Sequence, residues 1–224
     1  MHILITGGAT QEAIDGVRYI TNMSTGRTGT ILADYFTLKG NDVYYLSGKH
    51  SIKPRQVKNI FCFESFFDLN KLLEQKINEQ QFDVIIHLAA VSDYSIKEII
   101  VDDKIFSPSQ VCKLDSTSDV AIKLKPNFKI VTRIKEYAHD YNPFLIAFKL
   151  TNTGSEDDRL EAALKLSMKN YVDLLVHNDL NEMDDRNQHI FSIYNKNKVL
   201  RKCNSAVELA EALDGILKIK MMGV

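Results

Sequence analysis

The stretch NMSTGRTG, residues 22–29, carries the residue types of an anion-binding site. If a helix begins near Ser24 or Thr25, its first backbone amides, two hydroxyl groups and the glycines can together hold an anion. An ordinary helix cap explains the same letters equally well, because Ser and Thr favour that position in any helix. Asn22 lies just before this start. Its side-chain amide both donates and accepts hydrogen bonds, which suits a carbonyl oxygen that becomes an oxyanion.

Gly7 and Gly8 form an earlier glycine turn, directly after the apolar run HILIT at the start of the chain. Glycine after a first strand is typical of a nucleotide site, but the G-x-G-x-x-G fingerprint of dinucleotide sites is missing. A long interval that contains Asp15 and Arg18 separates these glycines from Gly26. The spacing indicates that the site accommodates more than a bare pyrophosphate.

The apolar run DVIIHLAA leads into the letters AAVSDY, residues 89–94. In a doubly wound sheet the carboxyl ends of the strands line the ligand crevice, and two alanines there let a flat group approach the backbone. Asp93 is then expected to face the same crevice. A lone Asp at the end of a strand is nevertheless more often a turn residue, since Asp favours turns.

Three lysines are further candidates for phosphate contacts. Lys165 and Lys169 are four residues apart on a predicted helix and are therefore expected to share a face, from which they reach over the crevice. Lys113 lies in a long excursion of the chain, where a mobile lid is expected. A solvated surface is the commoner explanation for lysines of this kind.

Short apolar runs rich in β-branched or aromatic residues alternate with segments of helical period. Strands are predicted at residues 2–6, 42–47, 58–63, 83–90, 144–150 and 172–177, and helices at 29–39, 66–80, 129–141 and 157–170. Ser155 is expected to cap the last of these helices. The alternation predicts an α/β fold with a Rossmann-like, doubly wound, mostly parallel sheet and helices on both faces.

Two regions break this alternation, within what we expect to be one Rossmann-like domain over residues 1–224. Residues 95–125 form a long excursion from the sheet, and loops of such length are usually functional or flexible. Residues 189–202 contain two alternating runs around an Asn-Lys-Asn turn, which predicts a hairpin. A C-terminal amphipathic helix is expected from about Ser205.

The composition excludes several classes of function. The charges nearly cancel, with 28 basic and 29 acidic residues, so a field that attracts nucleic acid is not expected. Three widely spaced cysteines support neither a zinc site nor a disulfide framework. The histidines show no metal-ligand spacing, and His87 and His177 are expected to be hydrogen-bonded core groups. No run reaches the roughly 18 apolar residues of a membrane span, so a cytoplasmic protein is expected.

The opening letters ITGGATQEAIDGVRYITNMSTGRTG and the second motif AAVSDY together resemble phosphopantothenate-cysteine ligase, also called phosphopantothenoylcysteine synthetase. The family pattern is a strand, then Gly-Gly-x-Thr-x-Glu-x-Ile-Asp-x-Val-Arg-Tyr-Ile-x-Asn, then Ser-[ST]-Gly-x-x-Gly. Its second motif is Ala-Ala-Val-[AS]-Asp-Tyr at the end of a central strand. The resemblance covers essentially the whole chain, and both motifs are specific.

This resemblance implies a CTP- or ATP-dependent amide ligation in coenzyme A biosynthesis. The carboxylate of 4'-phosphopantothenate attacks the α-phosphorus of the nucleoside triphosphate and releases pyrophosphate. The amine of L-cysteine then displaces the nucleoside monophosphate from the acyl-nucleotidyl anhydride. The family also implies Mg²⁺ on the triphosphate. Because no flavin-dependent decarboxylase segment stands ahead of Met1 in the sequence, a monofunctional ligase is expected. The family further implies a homodimer with the excursion and the hairpin near its interface.

The resemblance assigns roles to individual residues. It places Asn22 on the acyl intermediate and Lys113 on a flexible flap that serves the second half-reaction, with Lys104 as the competing flap lysine. It places nucleotide contacts at His87, Leu88, Ala89, Asp93, Phe128, Lys129, Ile130, Val131, Phe148, Lys165 and Lys169, and it links Asp93 to the nucleotide-bound metal. It places substrate or phosphate contacts at Gly7, Gly8, Arg18, Ser24, Thr25, Gly26 and Ala90.

Some letters depart from the family pattern, and two other functions remain open. Met23 stands where the family commonly has His. The flap motif of the two-domain bacterial enzymes is Lys-Ile-x-Lys, whereas residues 113–116 here read KLDS. The segment FKLTN is closer to stand-alone and eukaryotic forms, which leaves CTP and ATP both open. One alternative is an NAD(P)-dependent Rossmann reductase, which the missing fingerprint disfavours. The other is a non-catalytic protein that binds a pantothenate derivative or a nucleotide.

Overall fold

The computed structural model describes residues 1–108, 114, 119–153, 155–182 and 189–221. Within these residues the strands are β1 (His2–Gly7), β2 (Gln11–Ala13), β3 (Tyr19–Thr21), β4 (Asp42–Gly48), β5 (Asn59–Phe63), β6 (Val84–His87), β7 (Tyr94–Val101), β8 (Lys104–Phe106), β9 (Val120–Pro126), β10 (Phe144–Thr151), β11 (Leu174–Asp179), β12 (Phe191–Asn195) and β13 (Lys198–Cys203). The helices are α1 (Arg27–Leu38), α2 (Phe66–Glu79), α3 (Ile134–Tyr137), α4 (Glu156–Ser167) and α5 (Ala206–Met221).

The central sheet has the strand order β13-β12-β11-β10-β6-β1-β4-β5. The strands from β5 across to β11 are parallel, and β12 and β13 continue the sheet in antiparallel fashion. The chain leaves β1 for β4 and β5 on one side and returns to β6 on the other side. The order therefore reverses between β1 and β6, which is where doubly wound sheets bind their ligands. The predicted mostly parallel, doubly wound sheet is confirmed.

Helices cover both faces of this sheet, as predicted. Ile3 and Ile5 pack against α1 and α5 on one face, whereas Leu4 packs against α2 and α3 on the other. Leu145 and Ala147 are two residues apart on β10 and so share a face, which places α4 on the same side as α2 and α3. Burial on both faces explains the near-continuous apolar strand runs of the sequence.

The helix predicted over residues 129–141 is wrong as a single element. The chain forms a 3-10 turn at Ile130–Thr132 and then the four-residue helix α3. Three consecutive β-branched residues disfavour a continuous helix here. The Thr132 hydroxyl also donates to Lys129 O at 2.7 Å and so competes with the helical backbone pattern.

The helix predicted over residues 157–170 is confirmed, with different ends. Ser155 caps α4 as predicted, because its hydroxyl accepts from Asp158 N at 3.3 Å. The helix ends at Ser167, so the prediction that Lys169 shares a helix face with Lys165 is wrong. The chain has to turn there to reach the amino end of β11. No helix in the described part of the chain is long and apolar enough to cross a membrane.

The predicted excursion contains a separate antiparallel sheet with the strand order β8-β7-β9. Leu114 packs with Ile96 and Ile99 in a small apolar cluster on this sheet. The sequence prediction missed these strands, because β9 is exposed along nearly its whole length and lacks the near-continuous apolar run that marks a strand buried on both faces. A short hairpin of β2 and β3 was also missed, because strands of only three residues are too short to show a periodic pattern.

The predicted hairpin over residues 189–202 is confirmed as β12 and β13, which extend the central sheet. Its turn consists of residues 196–197, and Lys196 has a positive φ of 52°. Left-handed conformations of this kind suit a tight turn between twisted strands. The predicted C-terminal helix is also confirmed, because α5 begins at Ala206.

Candidate active site

The carboxyl end of β1 and the first turn of α1 are in direct contact, with glycines at the contact points. A Cβ atom on Gly26 would lie 3.2 Å from the Gly8 backbone nitrogen, and one on Gly29 would lie 3.4 Å from the Gly7 Cα atom. Gly8 and Gly26 also have positive φ angles of 86° and 79°, which residues with side chains rarely adopt. The glycines therefore let the helix start approach the end of the strand.

The helix start lies later than the sequence predicted. Gly26 is the residue before α1, and its positive φ cannot continue a right-handed helix, so Ser24 and Thr25 lie outside the helix. Thr25 still satisfies one backbone amide at the start, because its Oγ1 atom accepts from Arg27 N at 3.3 Å. The two glycine turns of the sequence thus meet at one end of the crevice, beside the positive end of the helix dipole.

Backbone hydrogen bonds continue the pairing of β1 and β6 beyond the ends of both strands. Ala90 N donates to Gly8 O at 2.8 Å, and Thr10 N donates to Ala90 O at 3.2 Å. The Thr10 hydroxyl accepts from Ser92 N at 2.8 Å. The glycine turn and the AAVSDY segment therefore form one hydrogen-bonded unit at the point where the strand order reverses.

Asn22 is held against the same unit. Its Nδ2 atom donates to Val91 O at 3.2 Å. The neighbouring Thr21 hydroxyl donates to Thr10 O at 2.8 Å. The Asn22 side chain is exposed to solvent. The structure thus brings the amide of the first motif to the backbone of the second, at the edge of the sheet where a ligand can approach.

Thr6 and His87 form a buried polar pair beneath the crevice, on neighbouring strands. The Thr6 hydroxyl lies 3.0 Å from His87 Nδ1 and accepts from Ala89 N at 3.1 Å. Burial lowers the pKa of His87 to about 4, because the charged imidazolium is poorly solvated there. The imidazole is therefore neutral near pH 7, and Thr6 can donate to Nδ1. Through this pair the backbone of Ala89, a predicted nucleotide contact, is fixed.

Asp93 lies beside the predicted nucleotide-contacting stretch 128–131. Its carboxylate pairs with Lys129 Nζ at 2.5 Å, and both side chains are more than half exposed, at 63% and 62%. Asn127 N donates to Asp93 O at 2.8 Å, which ties the two segments together. No group of three or more histidine, cysteine, aspartate or glutamate side chains could hold a metal ion in the part of the chain that the structure describes. Asp93 therefore offers a single carboxylate.

The Phe128 ring contacts two other planar groups. The Phe66 ring meets Phe128 edge-on, with centroids 4.9 Å apart. The Arg133 guanidinium lies 3.5 Å from the Phe128 ring centroid, in cation–π geometry. Ile130 is buried in the core and Val131 is half-buried. These contacts anchor the stretch at the carboxyl edge of the sheet, next to Asp93.

Three predicted nucleotide contacts lie apart from this group. Phe148 packs on the face of the sheet that α1 and α5 cover, whereas residues 128–131 pack on the opposite face or at its edge. Lys165 is exposed and lies about 14 Å along α4 from its first residue, at 1.5 Å per residue. Lys169 lies beyond the helix, in the turn that leads to the amino end of β11. The roles of these residues stay predictions.

Arg18 is held by the chain itself. Its Nη2 atom donates to Asp15 Oδ2 at 2.7 Å and to Leu114 O at 2.8 Å. The hydrogen bond from the Leu114 amide, together with those from Val17 and Arg18, holds the pKa of Asp15 well below its usual range. Lys113, the predicted flap lysine, lies outside the described residues. Its competitor Lys104 is exposed at the start of β8.

Further buried polar contacts hold the elements around the site together. Glu12 is buried, and its Oε1 atom accepts from Phe66 N at 3.0 Å, which joins β2 to the start of α2. At the ends of β10 and β11, Thr151 Oγ1 lies 2.8 Å from His177 Nε2 and donates to the buried Asp179. Burial lowers the pKa of His177. The prediction that both strand histidines are hydrogen-bonded core groups is confirmed.

A doubly wound sheet whose reversal point carries a glycine turn, a helix start and an exposed amide defines a Rossmann-like α/β protein with a ligand crevice. Comparison with known proteins narrows this class. The chain belongs to the family described as DNA/pantothenate metabolism flavoprotein C-terminal domain, whose model matches residues 1–217.

Curated relatives agree with this membership. The chain is 32% identical over 178 residues to the coenzyme A biosynthesis bifunctional protein CoaBC of Thermococcus kodakarensis, which covers 80% of this chain and 41% of the relative. It is 28% identical over 221 residues to CoaBC of Methanocaldococcus jannaschii, which covers 98% of this chain and 50% of the relative. The chain thus spans half or less of the length of these relatives.

Solved structures share the fold. The DNA/pantothenate metabolism flavoprotein from Streptococcus pneumoniae matches with a TM-score of 0.85 and 30% identity, over 98% of this chain and 99% of that chain. A Cab2 mutant in complex with phosphopantothenate-cysteine matches with a TM-score of 0.72 over 99% of this chain and 88% of that chain. Its 17% identity carries the fold alone. The reductase alternative gains no support from these relatives.

Proposed function

We propose that this chain is a phosphopantothenate-cysteine ligase, which joins 4'-phosphopantothenate and L-cysteine in coenzyme A biosynthesis. The family membership and the names of the CoaBC relatives support the proposal. The observation that carries it is the hydrogen bond from Asn22 Nδ2 to Val91 O. That contact brings the two motifs on which the resemblance rests to one edge of the sheet.

The proposed chemistry solves a specific problem, since a carboxylate is inert to amines until one of its oxygens joins a good leaving group. In the first half-reaction a carboxylate oxygen bonds to the α-phosphorus of CTP or ATP, and pyrophosphate leaves. In the second, the cysteine amine attacks the acyl carbon and loses a proton, and the nucleoside monophosphate leaves. The acyl oxygen carries negative charge while the amine adds.

Asn22 is proposed to bind that oxygen. The side-chain amide group has two protons, and Val91 O takes one of them, so the second can meet the oxyanion. A hydrogen-bond donor that is already oriented is more effective than a mobile one, and removal of one such donor costs about 2.7–4 kcal/mol of transition-state stabilisation. The backbone of the AAVSDY segment therefore orients the side-chain amide of Asn22.

Other residues have binding roles in this proposal. The start of α1 beside Gly8 holds a phosphate group, because backbone amides and the helix dipole favour an anion there. The backbone from His87 to Ala90, supported by Thr6, holds the nucleotide. Magnesium fits as an ion that the triphosphate brings, because Mg²⁺ needs few protein ligands when phosphates supply oxygens. Asp93 would be its carboxylate, and the ion would neutralise phosphate charge.

A homodimer is part of the proposal. Exposed apolar side chains on one face of the excursion sheet support it, since Val120 and Leu124 share a face of β9 and are 40% and 43% exposed. Apolar patches on a sheet surface commonly mark protein interfaces. Sedimentation equilibrium at several protein concentrations measures the mass, and a monomer at all of them would contradict this part of the proposal.

The ligase activity is tested with 4'-phosphopantothenate, cysteine, magnesium and either CTP or ATP. Absence of pyrophosphate with both nucleotides would contradict the function.

Asn22→Asp is expected to form the acyl-nucleotidyl intermediate and accumulate it, because amine attack loses its oxyanion partner. Asn59→Asp makes the same chemical change at the amino end of β5 and is the matched control. Normal turnover in Asn22→Asp would refute the role of Asn22.

The flap lysine is tested in the second half-reaction. Lys113→Gln is expected to slow amide formation while pyrophosphate is still released. A defect in Lys104→Gln alone would assign the role to Lys104 instead.

A further inference from the structure

Asp15 is saturated by hydrogen bonds within the chain. Its Oδ1 atom accepts from Val17 N at 2.9 Å and from Arg18 N at 2.8 Å, which closes the turn between β2 and β3. Its Oδ2 atom accepts from Arg18 Nε at 2.9 Å and from Leu114 N at 3.0 Å. The Asp15 side chain has no exposed surface. An Asp that only formed the local turn would need the first oxygen and not the second.

Arg18 completes a two-point grip on the same distant residue. Its Nη2 atom donates to Leu114 O at 2.8 Å while Asp15 accepts from Leu114 N, so one ion pair holds both polar backbone groups of Leu114. The sequence separations are 96 and 99 residues. The Leu114 side chain is 9% exposed and packs with Ile96 and Ile99. Leu114 is therefore fixed by its backbone on one side and by its side chain on the other.

These contacts bear on the role that the sequence suggested for Arg18, whose side chain is 46% exposed. The guanidinium was expected to bind substrate or phosphate, yet its Nη2 atom already has two acceptors inside the chain, and its Nε atom has a third contact. The hairpin that carries this ion pair ends at Thr21, and Asn22 follows directly. The ion pair thus connects the excursion to the short hairpin that delivers Asn22.

We propose that Asp15 and Arg18 are positioning residues that hold the backbone of Leu114 on the β2–β3 hairpin and so align the excursion with Asn22 for amide formation. The proposal rests on the proposed ligase function. It requires the second half-reaction to depend on the ion pair more than the first, because the first half-reaction involves the carboxylate and the nucleotide, which bind at the ends of β1 and β6.

The contact is tested without reference to activity, by NMR hydrogen exchange of the Leu114 amide in the full-length protein. Asp15→Asn has nearly the same shape, but it replaces one carboxylate oxygen with an NH₂ group. The NH₂ group then faces N–H donors of Leu114 or Arg18 and cannot accept a hydrogen bond from them. The Leu114 amide is expected to exchange about tenfold to a hundredfold faster. Glu98→Gln neutralises a carboxylate on β7 that pairs with Lys97 and Lys123, and it should leave the Leu114 rate within about twofold.

The role in catalysis is tested with Arg18→Lys, which keeps the charge and loses the planar fork. The expected result is a kcat for amide formation that falls about tenfold or more, with cysteine-independent pyrophosphate release and the KM for 4'-phosphopantothenate within about threefold. Glu98→Gln should match the wild type in all three measurements.

Each outcome decides one part of the proposal. Unchanged exchange of the Leu114 amide in Asp15→Asn would show that the ion pair does not hold this residue. Faster exchange in Asp15→Asn, together with normal amide formation in Arg18→Lys, would remove the positioning role. Unchanged exchange in Asp15→Asn, together with a raised KM for 4'-phosphopantothenate in Arg18→Lys, would make Arg18 a substrate ligand. If the wild type releases no pyrophosphate, the ligase function fails, and the positioning role in amide formation falls with it.

Discussion

Replacement of Thr6 by Val removes the polar link beneath the crevice and little else. Val has nearly the shape of Thr, so the change leaves no cavity at this fully buried position. Two hydrogen bonds are lost with the hydroxyl group. Ala89 N loses an acceptor at 3.1 Å, and His87 Nδ1 loses a partner at 3.0 Å.

The expected cost of Thr6→Val follows from these two bonds. A buried polar group without a partner costs about 1–3 kcal/mol, so two such groups cost about 2–6 kcal/mol. The new methyl group returns about 0.8 kcal/mol through apolar burial. The free energy of unfolding should therefore fall by about 1–5 kcal/mol. The Ala89 backbone should also become less well fixed, so nucleotide affinity should fall.

Urea denaturation followed by circular dichroism measures the first effect, and isothermal titration calorimetry with CTP and ATP measures the second. Thr37→Val is the matched control, because the Thr37 hydroxyl donates to Ala33 O within α1 at 2.8 Å and is only half-buried. Its cost should stay within about 0.5 kcal/mol. A loss in Thr6→Val no larger than in the control would refute the idea that this hydroxyl holds the segment.

Two further predictions concern the same end of the sheet. Lowering the pH from 7.5 to 5 should cost about 2 kcal/mol of unfolding free energy through His87, because the unfolded imidazole binds a proton near pH 6.5 and the folded one only near pH 4. The contribution of His87 to stability is complete above pH 6.5 and declines toward pH 4. Urea denaturation at a series of pH values gives the slope of the unfolding free energy against pH, and His87→Asn should remove the part of that slope due to His87. An unchanged slope would contradict the assignment. Gly7→Ala places its Cβ atom against Tyr45 Oη and should cost about 1–3 kcal/mol by overpacking. Tyr45→Phe in the same chain should recover most of that loss in thermal melts, and no recovery would show that the collision is not its cause.

The sequence predicted the central sheet well, because its strands are buried on both faces and stand out as apolar runs. The same physics explains what it missed. The strands β3 and β9 are exposed, so they lack the near-continuous apolar runs that mark the buried strands of the central sheet, and β3 is only three residues long. The 3-10 turn at Ile130–Thr132 was taken as part of a helix, because apolar spacing alone does not report the conformational cost of consecutive β-branched residues.

For the site, the two motifs predicted which segments matter, and the structure supplies how they meet. The Asn22 contact with Val91 depends on a hairpin fold that local letters do not encode. The engagement of Arg18 with Leu114 was also beyond reach, since it joins residues far apart in the chain. A single polar residue such as Thr6 belongs to no periodic pattern and to no motif. Its role becomes visible only when the pairing of neighbouring strands is known.

The backbone ladder that runs past the ends of β1 and β6 has a consequence for how the protein opens. The pairing of the two central strands is extended by hydrogen bonds among Gly8, Thr10, Ala90 and Ser92. The backbone amides of Thr10, Ala90 and Ser92 lose these bonds only when the strands themselves separate. The free energies of opening at these amides should therefore approach that of global unfolding. The crevice should then have no melting transition of its own, and loss of ligand binding on heating should coincide with loss of the sheet.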